Sequence, residues 1–485
     1  MFTLASALQR TAQAAAGRPA MLDDDEPWGE HVAAAARLAG GLRGRGLVRG
    51  DRVAVLARNS AAQARVFHAC YWSGLLPTPL NWRLSASEIA AQIDDCRPTA
   101  IFFEEEFEAL LPADRKGSQS FWLSDIEALS AGEQAAPPAE VSANDAALLL
   151  YTGGTTGRAK GVLLSHGNVV ANAFQVLADM KFDERSRYLH IAPMFHSADL
   201  LGTAVTILGG GHAYLPAFDV DAFLSVIERR AITHTMLAPT MIKMLLASGK
   251  RADLRALKRI IYGSSPMDAA TIAKTCAYFA PAGILQGYGL TETSPLLTVL
   301  GSEIHERIAN GETGLARSAG RPLPGVELRL VDGEVLARGP NIARAYWNAP
   351  DAEAEAFEGD WFRTGDIGEI GPDGALTLRD RMKDMIVTGG ENVYSAEVEE
   401  ALLEHPSVRE VAVIGLPDPL WGEAVTAVVV SAEEPFDADA LTAFCRSKLG
   451  AYKVPKRFLV RASLPRSALG KILKRQLRDD LKETP

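Results

Sequence analysis

One short stretch of the chain reads Tyr151-Thr152-Gly153-Gly154-Thr155-Thr156-Gly157-Arg158-Ala159-Lys160-Gly161. Its glycines remove side-chain bulk and permit backbone angles that other residues avoid, so amide N–H groups can converge on an anion. The threonines add hydroxyl groups, and Lys160 adds a mobile positive charge. A flexible surface turn is the alternative, but it does not explain so many glycines and threonines around one lysine. The composition therefore indicates phosphate binding.

Apolar segments at residues 146–150 and 162–164 flank this stretch and predict two buried strands. A Walker A loop is excluded, because Ala159 precedes Lys160 and Gly161 follows it, where that motif needs a glycine and then a serine or threonine. A Rossmann fingerprint is also excluded, because its glycine loop opens a helix. The sequence predicts a phosphate-binding loop between two strands.

Length and composition limit the class of protein. A chain of 485 residues with 47% hydrophobic and 23% charged residues indicates a folded protein of two or more domains. The net charge of −10 argues against general nucleic-acid binding. No signal peptide, membrane-spanning run or peroxisomal tripeptide is recognised. The cysteines have no metal-ligand spacing and predict reduced thiols in a cytoplasmic protein; they are Cys70, Cys96, Cys276 and Cys445.

Helices and strands alternate along most of the chain, which predicts parallel sheets covered by helices. The first sheet is predicted from strands at 52–56 and 100–103, with a helix at 61–72 and a capping box at 85–88. A second doubly wound sheet is predicted from strands at 188–191, 213–215, 235–237, 259–262 and 284–286. From residue 314 onward, short strands and the hairpin signals Asp332-Gly333 and Asp373-Gly374 replace this pattern, and a compact α+β region ends the chain.

Three polar stretches follow strands of the second predicted sheet. Ligands of open parallel sheets bind at the carboxyl ends of strands, and these stretches fall there. They are Pro193-Met194-Phe195-His196, Gly263-Ser264-Ser265-Pro266 and Gln286-Gly287-Tyr288-Gly289-Leu290-Thr291-Glu292. The last offers a ring that can stack on a base and a threonine–glutamate pair suited to hydrated magnesium.

In order and spacing these stretches resemble the motifs of the AMP-forming adenylate-forming enzymes: acyl-CoA synthetases, peptide-synthetase adenylation domains and luciferases. The resemblance implies that Tyr288 stacks on adenine, that Glu292 binds magnesium with Thr155, and that His196 lies beside the acyl substrate. Gly153 and Ala159 depart from the usual Ser/Thr and Pro of this family. The nucleotide contacts implied are Thr152, Gly153, Gly154, Thr155, Thr156, Gly157, Lys160, Ser264, Gln286, Gly287, Tyr288, Gly289 and Thr291.

The resemblance continues toward the carboxyl end. Asp366, in Trp361-Phe362-Arg363-Thr364-Gly365-Asp366, matches the aspartate that holds the ribose hydroxyls, and Arg381 matches a second ribose contact. Lys383 falls at the hinge between a large and a small domain. Gly389, Gly390 and Asn392 match the loop that forms the pantetheine tunnel of coenzyme A. Ser395 replaces a common proline, a change expected to matter little.

Lys471, in Pro465-Arg466-Ser467-Ala468-Leu469-Gly470-Lys471-Ile472, matches the adenylation lysine of the family. It lies in a basic segment of an otherwise acidic chain, which suits ATP and the phosphates of coenzyme A. The implied fold class is α/β, with a large N-terminal domain of two doubly wound sheets plus a small β-rich subdomain, and a small, mobile α+β C-terminal domain. The implied boundaries are 1–380, with the subdomain at about 314–380, a hinge at 381–384, and 385–485.

The resemblance implies a two-step ligation that uses ATP, Mg²⁺ and coenzyme A. A carboxylate attacks the α-phosphorus of ATP to give acyl-AMP and pyrophosphate, and Lys471 offsets the charge that builds up. The small domain then rotates at Lys383, and the thiol of coenzyme A takes the acyl group. The expected partners are therefore small molecules, with no nucleic acid and no stable membrane insertion. The oligomeric state is open between a monomer and a homodimer.

The acid itself is predicted from the apolar residues expected around its pocket. These suit a medium- or long-chain fatty acid, or an aryl acid of the hydroxycinnamate type, more than a dicarboxylate; Asp199 is an unexplained neighbour. An acyl-AMP ligase that loads a carrier protein is an alternative. A nucleotide-binding protein without catalysis would require loss of Lys471, Glu292 or Asp366, and all three are present. The predicted pocket residues are Met194, Phe195, His196, Leu200, Leu201, Met236 and Tyr262.

Overall fold

The computed structural model describes residues 2–152, 159–343, 345–433, 435–466 and 472–482. The chain divides into two compact units, Met1–Glu327 with Ala337–Phe362, and Leu328–Leu336 with Arg363–Pro485. Two α/β sheets lie in the first unit and a β-rich segment and an α+β region lie in the second, so the predicted fold class is confirmed. Within the segment predicted as a β-rich subdomain, residues 328–336 and 363–380 group with the second unit, and the rest groups with the first. The domain boundaries and the hinge stay predictions.

A four-stranded parallel sheet forms near the start of the first unit. The strand Arg52–Leu56 is buried after its first residue, as its apolar sequence predicts. The helix that follows it begins after Ser60, whose side chain accepts a hydrogen bond from the Gln63 amide, and ends at Gly74 with a φ of 72°. The strand order is Leu76–Pro79, Arg52–Leu56, Ala100–Phe103 and Gln119–Trp122.

The larger sheet of the first unit has a parallel centre with antiparallel strands at both edges. Its side chains alternate between two faces, and one face packs under helices around a core that includes Phe223, Leu237 and Phe279. The strand order is Ser318–Pro322, Thr298–Leu300, Gly283–Tyr288, Arg259–Tyr262, His234–Leu237, Arg187–His190, Gly211–Tyr214, Pro19–Met21 and Glu26–Pro27.

The phosphate-binding stretch connects two strands of a third, antiparallel sheet, as predicted from its apolar flanks. The strand order is Ala345–Trp347, Lys160–Ser165 and Ala146–Thr152. Further along the chain, the two-residue strand Phe357–Glu358 pairs antiparallel with the start of the strand Trp361–Ile370. The helices of this unit are Leu4–Ala14, Trp28–Gly44, Ala61–Ser73, Ala86–Cys96, Ile126–Ser130, His166–Gln175, Leu177–Met180, Gly202–Leu208, Val220–Arg229, Pro239–Ser248, Ala269–Phe279, Ser302–Ala309 and Pro350–Ala356.

The second unit contains two further sheets. The predicted turn at Asp332-Gly333 is present, with φ values of 50° and 82° that favour the hairpin turn expected there. One sheet has the order Glu327–Val331, Glu334–Arg338, Trp361–Ile370 and Leu376–Arg381. The other has the order Glu391–Val393, Ile386–Thr388, Gly422–Ser431 and Val408–Asp418, with Arg457–Val460 parallel to Gly422–Ser431. The helices are Ser395–Leu403, Ala438–Lys448 and Lys474–Lys482.

Candidate active site

The β-hairpin presents both described ends of the phosphate-binding stretch. Thr152 and Lys160 are registered partners across the two strands. Gly161 follows Lys160 where space is short, because an added Cβ would lie 2.9 Å from Leu149 and 3.1 Å from Trp347. The hairpin therefore fixes the two ends from which a phosphate-binding loop would project.

Several predicted site residues lie outside the described residues. Their implied contacts with phosphate, with magnesium and with the reacting carboxylate stay predictions. They are Gly153, Gly154, Thr155, Thr156, Gly157 and Lys471.

Tyr346 connects the hairpin with the predicted magnesium carboxylate, and sequence reasoning missed it. Its hydroxyl donates a hydrogen bond to Glu292 Oε1 at 2.8 Å. Lys160 Nζ lies 5.8 Å from the centre of its ring. Burial, and then the Glu292 carboxylate, raises the pKa of the Tyr346 phenol, so it remains a donor. The structure thus gathers an ammonium group, a phenol and a carboxylate from segments distant in sequence.

The stretch that includes Tyr288 leaves the carboxyl end of the strand Gly283–Tyr288 as the sequence predicts. Glycine is required before and after the tyrosine by close packing. A Cβ on Gly287 would lie 2.7 Å from Leu296, and one on Gly289 would lie 2.0 Å from the Pro295 carbonyl oxygen. The Thr291 hydroxyl accepts a hydrogen bond from Ser197 at 3.3 Å, which ties this stretch to the residue after His196.

His196 lies at the end of a loop that is held by Asn59, another residue that sequence reasoning missed. The Asn59 side chain accepts a hydrogen bond from the Met194 amide at 2.8 Å and donates one to the Ala192 carbonyl at 2.8 Å. Burial, with help from the Arg83 charge, lowers the pKa of His196 to about 4. The imidazole is therefore neutral at pH 7 and suits contact with an uncharged part of a substrate.

The predicted pocket residues do not all lie on one face of the sheet. Leu237 and Tyr262 are registered partners and both belong to the core on one face, whereas Met236 pairs with Ile261 and points to the other. The Tyr262 hydroxyl lies 3.3 Å from Gln286 Oε1 and 3.1 Å from His305 Nε2. Tyr262 and Gln286 are thus separated from Met236 by the sheet itself, because adjacent residues of a strand face opposite ways.

Ser264 follows the strand Arg259–Tyr262 in an unusual backbone conformation. Its φ is 70°, a region that favours glycine, and its side chain is exposed. Such conformations concentrate at functional sites. The adjacent Gly263 also approaches the next strand closely, because an added Cβ would lie 2.8 Å from the Gly287 carbonyl oxygen.

A small cavity lies beside the His196 loop in the first unit. It has a volume of about 50 Å³, and its lining includes the predicted pocket residues Met194, His196 and Leu200. Polar groups share the lining with them, among them Asp199 and Tyr214. Polar and apolar side chains thus share the lining of this cavity.

Asp199, unexplained at the level of sequence, lies in a buried chain of hydrogen bonds. Its Oδ1 is 2.6 Å from His190 Nδ1, and His190 Nε2 is 2.9 Å from His212 Nδ1. His212 Nε2 is 3.2 Å from the Thr206 hydroxyl. Burial and then the His190 charge hold the pKa of His212 well below its ordinary value, so this imidazole is neutral.

In the second unit, the two residues predicted to hold ribose lie together. Asp366 and Arg381 are registered partners on antiparallel strands, and Arg381 Nε lies 2.5 Å from Asp366 Oδ1. Asp366 is buried and Arg381 is half-buried. A cross-strand ion pair of this kind orients the carboxylate before any ligand arrives.

The segment around Lys383 is tied to the rest of the second unit by the acids on either side of it. Asp384 forms an ion pair with Arg478 at 2.9 Å, and Asp380 accepts hydrogen bonds from both the amide and the hydroxyl of Ser395. A proline at this position would have neither group to donate, so Ser395 makes two hydrogen bonds that the residue usual in the family cannot make. Lys383 itself is exposed.

Gly389 and Gly390 form the turn between the strands Ile386–Thr388 and Glu391–Val393. Both have positive φ values, 60° and 84°, which glycine adopts without strain. Gly389 also packs against an aromatic ring, because an added Cβ would lie 3.1 Å from Trp421. Asn392 is exposed in the second strand.

The first unit thus has the arrangement of a nucleotide-dependent enzyme, with a phosphate-type hairpin beside a carboxylate at the carboxyl edge of a parallel sheet. The family model described as AMP-binding enzyme matches residues 8–347, and that described as AMP-binding enzyme C-terminal domain matches residues 397–471. The chain belongs to the AMP-binding enzyme family.

Similar proteins are acid–CoA ligases with different acids. A feruloyl-CoA synthase of Amycolatopsis is 37% identical over 91% of each chain. A long-chain-fatty-acid–CoA ligase of Mycobacterium tuberculosis is 34% identical over 93% of this chain and 92% of that one. The solved structure of o-succinylbenzoate coenzyme A synthetase from Bacillus subtilis with ATP and magnesium has a TM-score of 0.86 and 30% identity, covering 98% of this chain and 99% of that one.

The protein is therefore an AMP-forming acid–CoA ligase whose small-molecule partners are ATP, Mg²⁺, coenzyme A and a carboxylic acid. The Glu292 carboxylate is a suitable ligand for magnesium, because proteins bind this ion through one or two carboxylates together with phosphate oxygens. Among the described residues, no helix is both long and apolar enough to cross a membrane.

Proposed function

We propose that the acid activated by this ligase is an aryl acid of the hydroxycinnamate type. The cavity beside His196 is the observation that carries the proposal. Its volume of about 50 Å³ suits the end of a compact acid better than a chain of a dozen methylenes. An alkyl chain in the cavity would also displace the water that hydrogen-bonds to the polar lining groups. Each group left unsatisfied would cost about 1–3 kcal/mol of binding free energy.

The first step of the proposed mechanism is adenylation. Thr152 and Lys160, with the loop between them, hold the β- and γ-phosphates, and Tyr288 stacks on the adenine. Glu292, with Thr155, would hold Mg²⁺, which would supply neutralisation of the phosphate charge. Tyr346 holds the Glu292 carboxylate through its 2.8 Å hydrogen bond, so the carboxylate needs little reorganisation. Lys471 offsets the charge that builds on the attacked α-phosphate.

The second step is thioester formation, and residues of the second unit are assigned to it. Asp366 and Arg381 bind the ribose hydroxyls, and their ion pair fixes the carboxylate in one orientation. Lys383 is the hinge. The turn at Gly389 and Gly390, with Asn392, forms the wall along which the pantetheine arm passes. These roles rest on the resemblance and on the local geometry of the unit.

A medium- or long-chain fatty acid is the second candidate for the substrate. The apolar lining residues Met194 and Leu200, and the similarity to a ligase of Mycobacterium tuberculosis that is named for long-chain fatty acids, favour it. An acyl-AMP ligase that loads a carrier protein remains the alternative for the acceptor. A cytoplasmic location belongs to the proposal as well, since the four cysteines form no disulfide.

Pyrophosphate release across a panel of acids tests the proposal. The panel runs from acetate through octanoate and palmitate to cinnamate and hydroxycinnamates, each with ATP, Mg²⁺ and coenzyme A. We expect the highest kcat/KM among the aryl acids, with AMP and an acyl-CoA as products. A preference for palmitate over every aryl acid would contradict the substrate, and acyl-AMP that coenzyme A does not consume would contradict the acceptor.

A further inference from the structure

A second chain of buried hydrogen bonds reaches the cavity. Glu26 Oε2 lies 3.0 Å from His31 Nδ1, and His31 Nε2 lies 2.8 Å from His68 Nδ1. His68 lines the cavity, whereas Glu26 and His31 are not among its lining residues. The chain therefore ends at His68, on the wall of the cavity.

The proton positions in this chain follow from its carboxylate end. A carboxylate only accepts, so His31 Nδ1 carries the proton that it donates to Glu26. Burial lowers the pKa of His31, and burial with the neighbouring His31 and His190 holds that of His68 well below its ordinary value. Both rings are therefore neutral. His31 Nε2 is then an acceptor, His68 Nδ1–H is its donor, and His68 Nε2 is left as an acceptor.

The two chains differ at their inner ends. In the chain from Asp199 the last ring nitrogen has a partner, since His212 Nε2 is 3.2 Å from the Thr206 hydroxyl. In the chain from Glu26 the last ring nitrogen has none, because His68 Nε2 makes no hydrogen bond with any described residue. The wall of the cavity therefore carries His68 Nε2, an imidazole nitrogen that Glu26 and His31 keep unprotonated and whose lone pair accepts no hydrogen bond from the described residues.

We propose that His68 is a specificity-determining residue whose Nε2 accepts a hydrogen bond from a hydroxyl group at the end of the acid remote from its carboxylate. Glu26 and His31 are the positioning residues that keep this nitrogen unprotonated. The ligand is thus a hydroxyaryl acid, which presents its phenol to His68 while its ring lies against apolar lining such as Phe67 and Leu150. This inference rests on the proposed function and narrows it.

Asp199 and two tyrosines add further polar groups to the lining of the same cavity. Burial raises the pKa of the phenols of Tyr71 and Tyr214, and the Asp199 carboxylate raises both further. Both side chains line the cavity and stay neutral hydroxyl groups. They can accept or donate a second hydrogen bond at the substrate hydroxyl, and an alkyl end would leave them without a partner.

Glu26→Gln tests the proton order directly. Glu26 Oε1 accepts a hydrogen bond from Arg65 Nη2 at 2.7 Å, so the carbonyl oxygen of a glutamine must face Arg65. Its amide group must then face His31 Nδ1 as a donor. Each proton in the chain shifts to the other nitrogen, and His68 Nε2 becomes a donor. The substitution keeps the shape of the site and inverts its hydrogen-bonding sense.

The experiment compares kcat/KM for cinnamic, 4-hydroxycinnamic and 4-methoxycinnamic acids, measured by pyrophosphate release. In the unaltered protein we expect the 4-hydroxy acid to exceed the other two by about tenfold, the value of one hydrogen bond to a buried acceptor. In Glu26→Gln we expect the ratio of 4-hydroxy to 4-methoxy acid to fall to about one, since both oxygens can accept. Each ratio is internal to one variant, so a partial loss of stability does not change it.

Glu127→Gln is the matched control. Glu127 also accepts a hydrogen bond from Arg65, through Nη1, but it is exposed and does not contact His31. Its substitution should leave the substrate ratios unchanged. If Glu26→Gln does not fold, His68→Phe replaces it, and there the preference for the 4-hydroxy acid over cinnamic acid should fall to about one.

The possible failures are distinguishable. Activation of aliphatic acids without any aryl acid would overturn the proposed function and this inference together. Activation of aryl acids with equal kcat/KM for the 4-hydroxy and unsubstituted acids would overturn the role of His68 alone. Ratios in Glu26→Gln that match those in Glu127→Gln would overturn the proton order.

Discussion

Removing the hydroxyl group that contacts Glu292 is expected to raise the concentration of Mg²⁺ that the enzyme requires. In Tyr346→Phe the ring remains, and the 2.8 Å hydrogen bond to Glu292 Oε1 is lost. A hydrogen bond to a charged group contributes about 1.5–3 kcal/mol, and the partial exposure of both residues favours the lower value. A loss of about 1.5 kcal/mol corresponds to roughly tenfold, in the range of 10–100-fold seen when the partner of a metal ligand is removed.

The assay is a titration of Mg²⁺ at saturating ATP and acid, followed by pyrophosphate release. We expect the Mg²⁺ concentration for half the maximal rate to rise about tenfold in Tyr346→Phe. Conversion of supplied acyl-AMP and coenzyme A to thioester should be unchanged. Tyr278→Phe is the control, because it also removes a hydroxyl that makes a 2.8 Å hydrogen bond, here to the Lys250 carbonyl and away from Glu292. An unchanged or lower magnesium requirement in Tyr346→Phe would refute the role of Tyr346.

Three further predictions concern catalysis, the hinge and acid stability. Lys471→Ala should slow acyl-AMP formation by about 10²–10³ while supplied acyl-AMP is still converted to thioester, and an equal loss in both half-reactions would contradict its assignment. Lys383→Pro should keep adenylation within roughly tenfold while thioester formation falls much further, and single-turnover assays of each half-reaction against Lys383→Ala check this. Burial lowers the pKa values of His166, His196 and His234 to about 4, below the ordinary 6.5, so the unfolded chain binds more protons between these values. Each should contribute on the order of 3 kcal/mol of stability that is present above pH 6.5 and lost as the pH falls to 4, and denaturant unfolding at several pH values measures it.

Local sequence determined the elements that bring the predicted motifs to the edge of the sheet. The strands Arg52–Leu56 and Ala100–Phe103 have the bounds that their apolar sequences predict, and Ser85 caps its helix as its spacing to Glu88 indicates. These features depend on residues a few positions apart, so the pattern of the chain contains them. The same holds for the hairpin around the phosphate-binding stretch, whose strands are marked by their apolar runs.

Tertiary structure alone decided which side chains meet. Tyr346 reaches Glu292 across 54 positions of sequence, and no local pattern marks it. Tyr262 was predicted beside Met236 in the pocket, yet a sheet sends successive residues to opposite faces, and only the packed helices show which face is core. The proton state of the His68 Nε2 atom depends on Glu26, which lies 42 positions earlier and acts through the intervening ring of His31. Hydrogen-bond direction is a property of the assembled network, and the sequence supplies only its members.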